Sequence, residues 1–440
     1  MGRGLAALAA AAIVLSGHAQ QAPPSWSTYG NRPERHNFAS TGPAPPLARW
    51  RVHLDGGILT QPLVVRDGGT TFVYVGTTRG SVYALDETGR IRWRVELESI
   101  DHDCPQLPRY GVTGTPVVDP QTHALYAADA VGRLHALDLA TGAERPGWPV
   151  TLYDDFRSEL VWGALLRVGG AVYIPTASYC DIPPMQGKLI RVSLAGRAVQ
   201  AWTVVPARLG GGGGIWAWGG VSYSTKRGSI YAATGNAFAR NEAAGYGEHL
   251  VELTPALRVR SANHPPSVAP QGDIDFGGAP MLVSARGCGE LVVAPSKNGR
   301  LYAWRSAALR RGTAWTFDLR RLKPRYALVT ELAYAPPLRS IFVATGTRLV
   351  RLSLTRNCKP RLQWTVRIPR WAYNGSPTVA GGLVWFGLTK TKRLLAVDAR
   401  TGRVRAMVAL NGAALAAPAA ASGRLYVGTM TGWLYGFSRR

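Results

Sequence analysis

One sequence motif recurs along almost the whole chain, and it limits the folds that the chain can adopt. The motif is an apolar run, a glycine, and an apolar strand of the form V/L-Y-A-L-D followed by a turn, with its clearest copies at Gly80, Gly132 and Gly299. Weaker copies begin at Gly187, Glu248, Thr347, Lys392 and Gly432. The spacing between successive copies is typical of the repeats of β-propellers, in which each blade is a four-stranded sheet. The eight copies predict an all-β, eight-bladed β-propeller.

The two ends of the chain are expected to share the last blade. Most units end in a Trp-containing strand such as residues 91–97, whereas the eighth unit stops at Arg440 before making one. Residues 48–54 repeat the Arg-Trp-Arg-Val-x-Leu pattern of 91–97 without strands of their own before them. This N-terminal strand is predicted to complete blade 8 and close the ring, which leaves no unpaired sheet edge. The outer-strand tryptophans are interpreted as packing between neighbouring blades.

The N-terminus has the pattern of an export signal. Arg3 precedes an apolar run over residues 5–15, and small residues follow at the two positions that a signal peptidase reads. Because this run is too short to span a bilayer, residues 1–19 predict a cleaved signal peptide and no stable membrane anchor. The protein is therefore expected in the periplasm or outside the cell. The predicted organisation continues with an extended N-terminal segment at 20–46 and the propeller at 47–440, with long insertions in blades 3 and 4.

The four cysteines allow three pairings. In a propeller blade, the loop between the second and third strands lies on the same face as the link to the next blade, and the other two turns lie opposite. This rule places Cys104 and Cys180 on one face, and Cys288 and Cys358 on the other. Since the Cα atoms of a disulfide lie within about 7 Å of each other, the predicted disulfides are Cys104–Cys180 and Cys288–Cys358.

Several function classes have no support in the sequence. The cysteines form no CxxC or CxxCH motif, which excludes a zinc knuckle and a covalently attached haem in this chain. A glycine run at 210–214 lacks the spacing of a nucleotide-binding loop, and no Gly-x-Ser-x-Gly elbow is present. The net charge of +25 favours anionic partners. The sequence has no basic stripe interleaved with aromatic residues, so it does not predict nucleic-acid binding.

The insertions of blades 3 to 5 contain an ordered set of motifs. In chain order these are a glycine run ending in Trp216, Thr-Gly-Asn ending at Asn236, Asp-Phe-Gly beginning at Asp275, and Lys-Asn-Gly beginning at Lys297. Together with the repeat, this order resembles the exported quinoprotein alcohol dehydrogenases, eight-bladed propellers that bind pyrroloquinoline quinone (PQQ) and calcium on the ring axis. The resemblance covers the whole propeller. It implies a dehydrogenase that acts on an alcohol or a sugar and passes electrons to a separate acceptor.

The resemblance also implies a role for each matching residue. Trp216 is the floor on which the quinone stacks, Asn236 is a calcium ligand, Asp275 is the general base and a further calcium ligand, and Lys297 contacts the quinone oxygens. These roles fit the residue types, because a tricyclic quinone needs a flat π surface and calcium prefers oxygen ligands. A carboxylate beside the reactive carbonyl is suited to remove an alcohol proton.

Two positions depart from the family pattern. The family's glutamate ligand of calcium belongs in the middle loop of blade 3, where residues 177–181 contain no Glu and Asp181 is the available carboxylate. The vicinal disulfide that covers the quinone belongs near Cys104, where Asp103 occupies one of its positions. Both changes affect the cofactor site, so the alternatives are a non-catalytic scaffold resembling the outer-membrane assembly proteins and a binding module for anionic glycans.

Each site residue also has a structural interpretation. Trp216 can serve as inner-strand packing, and Asn236 and Lys297 occupy sequences that make good turns. Asp275 can be a surface or capping carboxylate, with Asp273 as a neighbouring rival for the same role.

Overall fold

The computed structural model describes residues 25–102, 104–105, 107–265, 274–322, 328–368 and 375–440. Within them, eight antiparallel four-stranded blades follow one another in chain order, which confirms the all-β, eight-bladed propeller. The strands run from inner to outer in each blade. In order they are Leu63–Asp67, Thr70–Gly76, Ser81–Asp86 and Ile91–Glu96; Val117–Asp119, Ala124–Ala128, Arg133–Asp138 and Val150–Thr151; Leu166–Val168, Ala171–Pro175, Lys188–Ser193 and Val199–Thr203; Ser222–Ser224, Ser229–Ala233, Leu250–Leu253 and Val259–Asn263; Met281–Ala285, Gly289–Ser296, Arg300–Arg305 and Trp315–Asp318; Ala333–Ala335, Ser340–Ala344, Arg348–Leu354 and Pro360–Arg367; Thr378–Ala380, Leu383–Leu388, Arg393–Asp398 and Val404–Ala409; and Ala419–Ala421, Arg424–Gly428, Trp433–Arg439 and Leu47–His53.

The last blade is closed by the N-terminal strand, as predicted. Leu47–His53 pairs antiparallel with Trp433–Arg439, one residue earlier than the expected 48–54. The remaining elements are short: a two-stranded ribbon of Ile100–Asp101 and Arg109–Tyr110, and 3₁₀ turns at Tyr29–Asn31, Ala207–Leu209, Ser306–Arg311, Leu319–Leu322 and Pro336–Leu338. No helix in the described ranges has the length and hydrophobicity needed to cross a membrane. The predicted signal peptide at 1–19 lies outside these ranges.

The outer-strand tryptophans pack against the turn of the next blade. A Cβ atom at Gly89, in the blade 1 turn, would lie 2.6 Å from the indole of Trp50 in blade 8, and one at Gly142 would lie 2.7 Å from Trp93. Only glycine leaves room for the ring at these positions, and both glycines also have positive φ. Periodic Trp and Gly residues are thus two halves of one contact between blades, which confirms the packing interpretation.

Both predicted disulfides are formed. Cys104, in the link from blade 1 to blade 2, bonds to Cys180 in the middle loop of blade 3. Cys288, in the first turn of blade 5, bonds to Cys358 in the third turn of blade 6. The topological rule for the faces of a blade therefore gave the correct pairing of the cysteines.

The N-terminal chain that precedes the closing strand Leu47–His53 runs inside the ring. We call residues 26–39 the axial segment, because its backbone bonds to the inner strand of one blade after another. The backbone pairs are Trp26 with Val64, Ser27 with Val118, Pro33 with Tyr223, Glu34 with Leu282, His36 with Tyr334, and Asn37 with Val379, in blades 1, 2, 4, 5, 6 and 7. Phe38–Ala39 then pairs in parallel with Val379–Ala380. The segment satisfies inner-strand polar groups that would otherwise face the axis unpaired.

The side chain of Arg35 makes the contact at blade 3 that the backbone of the axial segment does not make, and it is fully buried at the axis. Its guanidinium donates to the carbonyl of Val221 (2.8 Å), to the Thr28 hydroxyl (2.9 Å), to the carbonyl of Tyr29 (3.0 Å) and to the carbonyl of Leu165 (3.2 Å). Burial lowers the pKa of Arg35 to about 10, so the group is charged at neutral pH. One side chain thus ties the axial segment to the links that lead into blades 3 and 4.

Replacement of Arg35 by Met should destabilise the protein, because it leaves buried carbonyl groups without their donor. Each hydrogen bond to a charged group contributes about 1.5–3 kcal/mol, so a loss of about 3 kcal/mol in the free energy of unfolding is expected. Urea denaturation measures this loss, and exposed Arg66→Met is the matched control, which should change stability by less than about 0.5 kcal/mol. Equal stabilities of the two variants would contradict the role of Arg35.

Candidate functional site

The four residues singled out by the motifs lie in connections on one face of the ring. Trp216 is in the link from blade 3 to blade 4, and Asp275 is in the link from blade 4 to blade 5. Asn236 is in the middle loop of blade 4 and Lys297 in the middle turn of blade 5. Links and middle loops share a face, so the fold brings these distant sequence positions to the same side.

Asp275, Lys297 and Trp216 form a compact group. Asp275 is 4% exposed, and its Oδ1 lies 2.7 Å from the Lys297 ammonium. The indole Nε1 of Trp216 donates to Asp275 Oδ2 at 2.7 Å, and Lys297 Nζ lies 4.6 Å from the centre of the indole ring. The backbone N–H of Lys297 also donates to the Asp275 carbonyl. A carboxylate, an ammonium group and an aromatic ring thus contact one another, and the ammonium has the position of a cation–π contact.

The glycine run positions Trp216 by passing between two loops. Gly210 to Gly213 have φ angles of +105°, +74°, +87° and +73°. Four consecutive positive φ values are strained for any residue with a Cβ atom, which explains the composition of the run. Gly212 forms bridges with Gln186 in the middle loop of blade 3 and with Ala237 in that of blade 4. The run therefore joins these two loops.

Asn236 lies beside this group and has a free oxygen. A Cβ at neighbouring Gly235 would lie 3.0 Å from Asp275 Oδ2, so this backbone packs directly on the carboxylate. The Asn236 amide Nδ2 donates to Glu242 Oε2 at 3.2 Å, which orients the amide. Its Oδ1 is buried and has no hydrogen-bond partner among the described residues. A buried amide oxygen without a donor is a candidate ligand for a hard cation.

Sequence comparison assigns the chain to a family. A family model described as outer membrane protein assembly factor BamB, of the PQQ repeat type, matches residues 47–235 and 338–440, about two thirds of the chain. The chain belongs to this family. The matched residues include Trp216, whereas Asn236, Asp275 and Lys297 lie between the two matched stretches. The unmatched stretch between them, residues 236–337, therefore contains three of the four candidate site residues.

Individual relatives are distant in sequence. A polyvinylalcohol dehydrogenase from a Pseudomonas species is 24% identical over 299 residues, which make up 58% of this chain and 44% of that protein. This chain thus spans less than half the length of that relative.

Solved structures share the fold. The quinohemoprotein alcohol dehydrogenase from Comamonas testosteroni matches with a TM-score of 0.70 at 18% identity, covering 94% of this chain and 80% of that chain. BamB from Moraxella catarrhalis matches with a TM-score of 0.62 at 16% identity, covering 89% of this chain and 97% of that chain. At these identities the likeness concerns the propeller fold alone.

The residues of this PQQ-repeat propeller fit a quinone better than they fit calcium. Trp216 offers a ring, with the Lys297 cation beside it, as a planar anionic cofactor requires. For calcium, Asn236 Oδ1 is a suitable oxygen, but Asp275 already contacts Lys297 and Trp216. Asp181 follows the bonded Cys180 and is exposed, and its role as a ligand stays a prediction. Across the described ranges, no three His, Cys, Asp or Glu side chains are arranged to hold a metal ion.

An aromatic wall beside Trp216 was missed by the motif search. Trp162 stacks on Tyr179 with ring centres 4.7 Å apart, and on Tyr110 at 6.3 Å. These rings belong to one apolar cluster with Trp216 and Trp218. Tyr179 precedes the bonded Cys180, so the disulfide holds one part of the wall in place. Tyr110, Trp162 and Tyr179 are far apart in the sequence and share no motif, so no sequence signal indicated the wall. Asp103 and Asp273 lie outside the described residues.

Glu331, a buried carboxylate in one of the links, was also missed. It lies in the link from blade 5 to blade 6 and is 2% exposed. Its two carboxylate oxygens accept hydrogen bonds from the backbone N–H groups of Gly219 and Ala279. A single Glu next to an apolar strand has no distinguishing sequence pattern, so only the fold shows its position.

The Asp275–Lys297 contact should appear as an energetic coupling. Asp275→Asn removes the carboxylate charge beside a largely buried ammonium group, and a loss of about 3 kcal/mol in unfolding free energy is expected. The double variant Asp275→Asn/Lys297→Met should lose less than the sum of the two single variants by about 1 kcal/mol or more. Urea denaturation of all four proteins measures the cycle, and additivity within about 0.5 kcal/mol would show that the two charges do not interact.

Proposed function

We propose that this protein is an exported PQQ-dependent dehydrogenase that oxidises an alcohol or a sugar and passes the electrons to a separate acceptor. The observation that supports this most is the Asp275–Lys297 ion pair against Trp216. Buried ion pairs are often no more stable than apolar packing, so stability alone gives little reason to place one here. A catalytic base beside a cation and an aromatic plane is the better explanation.

Each residue has a chemical task in this proposal. Bound PQQ would supply the acceptor for the hydride of the alcohol carbon. The Trp216 ring provides the surface for stacking, and the Lys297 ammonium stabilises negative charge that develops on the quinone oxygens. Asp275 accepts the hydroxyl proton of the substrate at a carboxylate oxygen. The aromatic wall of Tyr110, Trp162 and Tyr179 excludes water from this face.

Calcium is the weaker part of the proposal. Asn236 Oδ1 is the oxygen that needs a partner, and Asp275 and Asp181 are the proposed carboxylate ligands. Asp181 replaces the glutamate that the family resemblance requires, which demands a shift of the blade 3 loop. We therefore expect calcium to bind weakly without the quinone.

Export is supported by the disulfides. Cys104–Cys180 and Cys288–Cys358 account for all four cysteines, and such bonds persist in oxidising compartments. The predicted signal peptide at residues 1–19 agrees with a periplasmic or extracellular location.

A propeller scaffold for outer-membrane assembly is the second candidate. The family model with the BamB description favours it, because that model matches most blades. Its two matched stretches leave out residues 236–337, however, and these include Asp275 and Lys297. The two candidates differ in one testable property, namely whether the links of blades 3 to 5 bind a quinone.

Quinone binding tests the proposal directly. Titration of the purified protein with PQQ in the presence of Ca²⁺ should quench Trp fluorescence with saturation at micromolar concentrations. Subsequent addition of primary alcohols or sugars should reduce a dye acceptor. Absence of binding would overturn the enzyme proposal, and binding without dye reduction with any of these substrates would leave a non-catalytic quinone-binding protein.

A Trp216→Ala variant tests the stacking surface. Loss of the ring contact is expected to weaken PQQ binding by at least about tenfold, equivalent to about 1.4 kcal/mol. Trp202→Phe, in the outer strand of blade 3, is the control and should bind PQQ like the original protein. Unchanged affinity in Trp216→Ala would place the quinone elsewhere.

Retention on an acidic polysaccharide, measured together with PQQ binding, tests the glycan alternative. A glycan-binding module would be retained at low salt, released as salt rises, and indifferent to PQQ. For the dehydrogenase we expect charge-driven retention that PQQ does not require, together with the quinone-dependent quenching described above.

A further inference from the structure

Glu331 connects four consecutive links between blades. Its Oε1 accepts from the backbone N–H of Gly219 at 2.8 Å, in the link from blade 3 to blade 4. Its Oε2 accepts from the N–H of Ala279 at 2.9 Å, in the link from blade 4 to blade 5. Its own backbone N–H donates to the Ser376 hydroxyl at 3.0 Å, in the link from blade 6 to blade 7. One carboxylate therefore holds two neighbouring links at a fixed separation.

The two links held by Glu331 are the ones that contain the site. Gly219 follows Trp216 by three residues, and Ala279 follows Asp275 by four. A Cβ at Gly219 would lie 3.0 Å from Glu331 Oε2, so a glycine allows the carboxylate to approach this closely. The Trp216–Asp275 hydrogen bond, at 2.7 Å, depends on the separation of the same two links.

The surroundings of Glu331 make its charge sensitive to pH. Burial raises the pKa of Glu331 to about 7, against the opposing effects of the Gly219 and Ala279 N–H groups and of Arg35. Arg35 and Tyr29, both on the axial segment, are the charged and titratable groups that act on it. Burial raises the pKa of Tyr29 further above its usual value, so Tyr29 stays neutral. A proton on Glu331 turns one acceptor oxygen into a donor and weakens one of its two backbone bonds.

We infer that Glu331 is a positioning residue whose two carboxylate oxygens hold Trp216 and Asp275 in contact, and that loss of its negative charge loosens this contact. The functional meaning of the contact rests on the proposed function, whereas the hold on the two links belongs to the fold. Glu331 contacts neither Trp216 nor Asp275 through the bonds described, and acts through the backbone of Gly219 and Ala279.

The indole N–H resonance of Trp216 reports this contact in the protein without cofactor. In a ¹⁵N-labelled sample its signal is assigned by its disappearance in Trp216→Phe. A hydrogen bond to a carboxylate is strong and should place this signal downfield of ordinary indole signals. Glu331→Gln is nearly isosteric but neutral, and it should move the signal upfield. In the original protein the signal should shift upfield as pH falls through about 7, and this titration should be lost in Glu331→Gln.

Glu159→Gln is the matched control. Glu159 is another buried link carboxylate, bonded to Thr176 and Lys188, and its substitution should leave the Trp216 signal and its titration unchanged. A Trp216 signal that is constant between about pH 5 and pH 9 in the original protein would overturn the inference without any variant. A titration that persists in Glu331→Gln would assign it to another group and would also overturn it. Because no quinone is added, this test does not depend on PQQ binding. Failure of the Glu331 inference would likewise leave the proposed function untouched.

Discussion

The structure depends on the way in which the axial segment satisfies the inner edges of the blades. Each blade ends at the axis in an inner strand, and in seven of the eight blades no further strand of the described chain pairs with the inner edge of that strand. Residues 26–39 supply backbone partners to blade after blade, and Arg35 supplies donors where the backbone does not reach. The N-terminal chain thus stabilises the ring in two ways. It connects the inner strands at the axis, and its strand Leu47–His53 completes the last blade.

The same interactions extend from the axis to the candidate site. Arg35 and Glu331 are oppositely charged groups buried near each other, and each binds backbone groups of the links rather than the blades. Charges in such a position need several partners because their desolvation is costly. Glu331 binds the links of Trp216 and Asp275, and Arg35 binds the link of Trp216 through the carbonyl of Val221, so the polar packing at the axis continues into the site.

The sequence predicted the parts of the molecule that have a period or a motif. The repeat glycines gave the eight blades, the second Arg-Trp-Arg-Val pattern gave the closing strand, and the blade topology gave Cys104–Cys180. The motif order singled out Trp216, Asp275 and Lys297, which contact one another in the structure, and their functional roles stay predictions. The path of the axial segment could not be predicted, because its partners are single residues in six blades and have no spacing. Glu331 could not be predicted for the same reason, because it is a single residue without a sequence pattern. The ligand role of Asp181 stays a prediction.

A crystal structure of the protein grown with PQQ and Ca²⁺ tests the central claim most directly. The account predicts electron density for the quinone against the Trp216 ring, with Lys297 Nζ on a quinone oxygen and Asn236 Oδ1 on the cation. An anomalous difference map would locate the cation independently. Density for the quinone at another place, or an unliganded Trp216–Asp275–Lys297 group at saturating PQQ, would contradict the account.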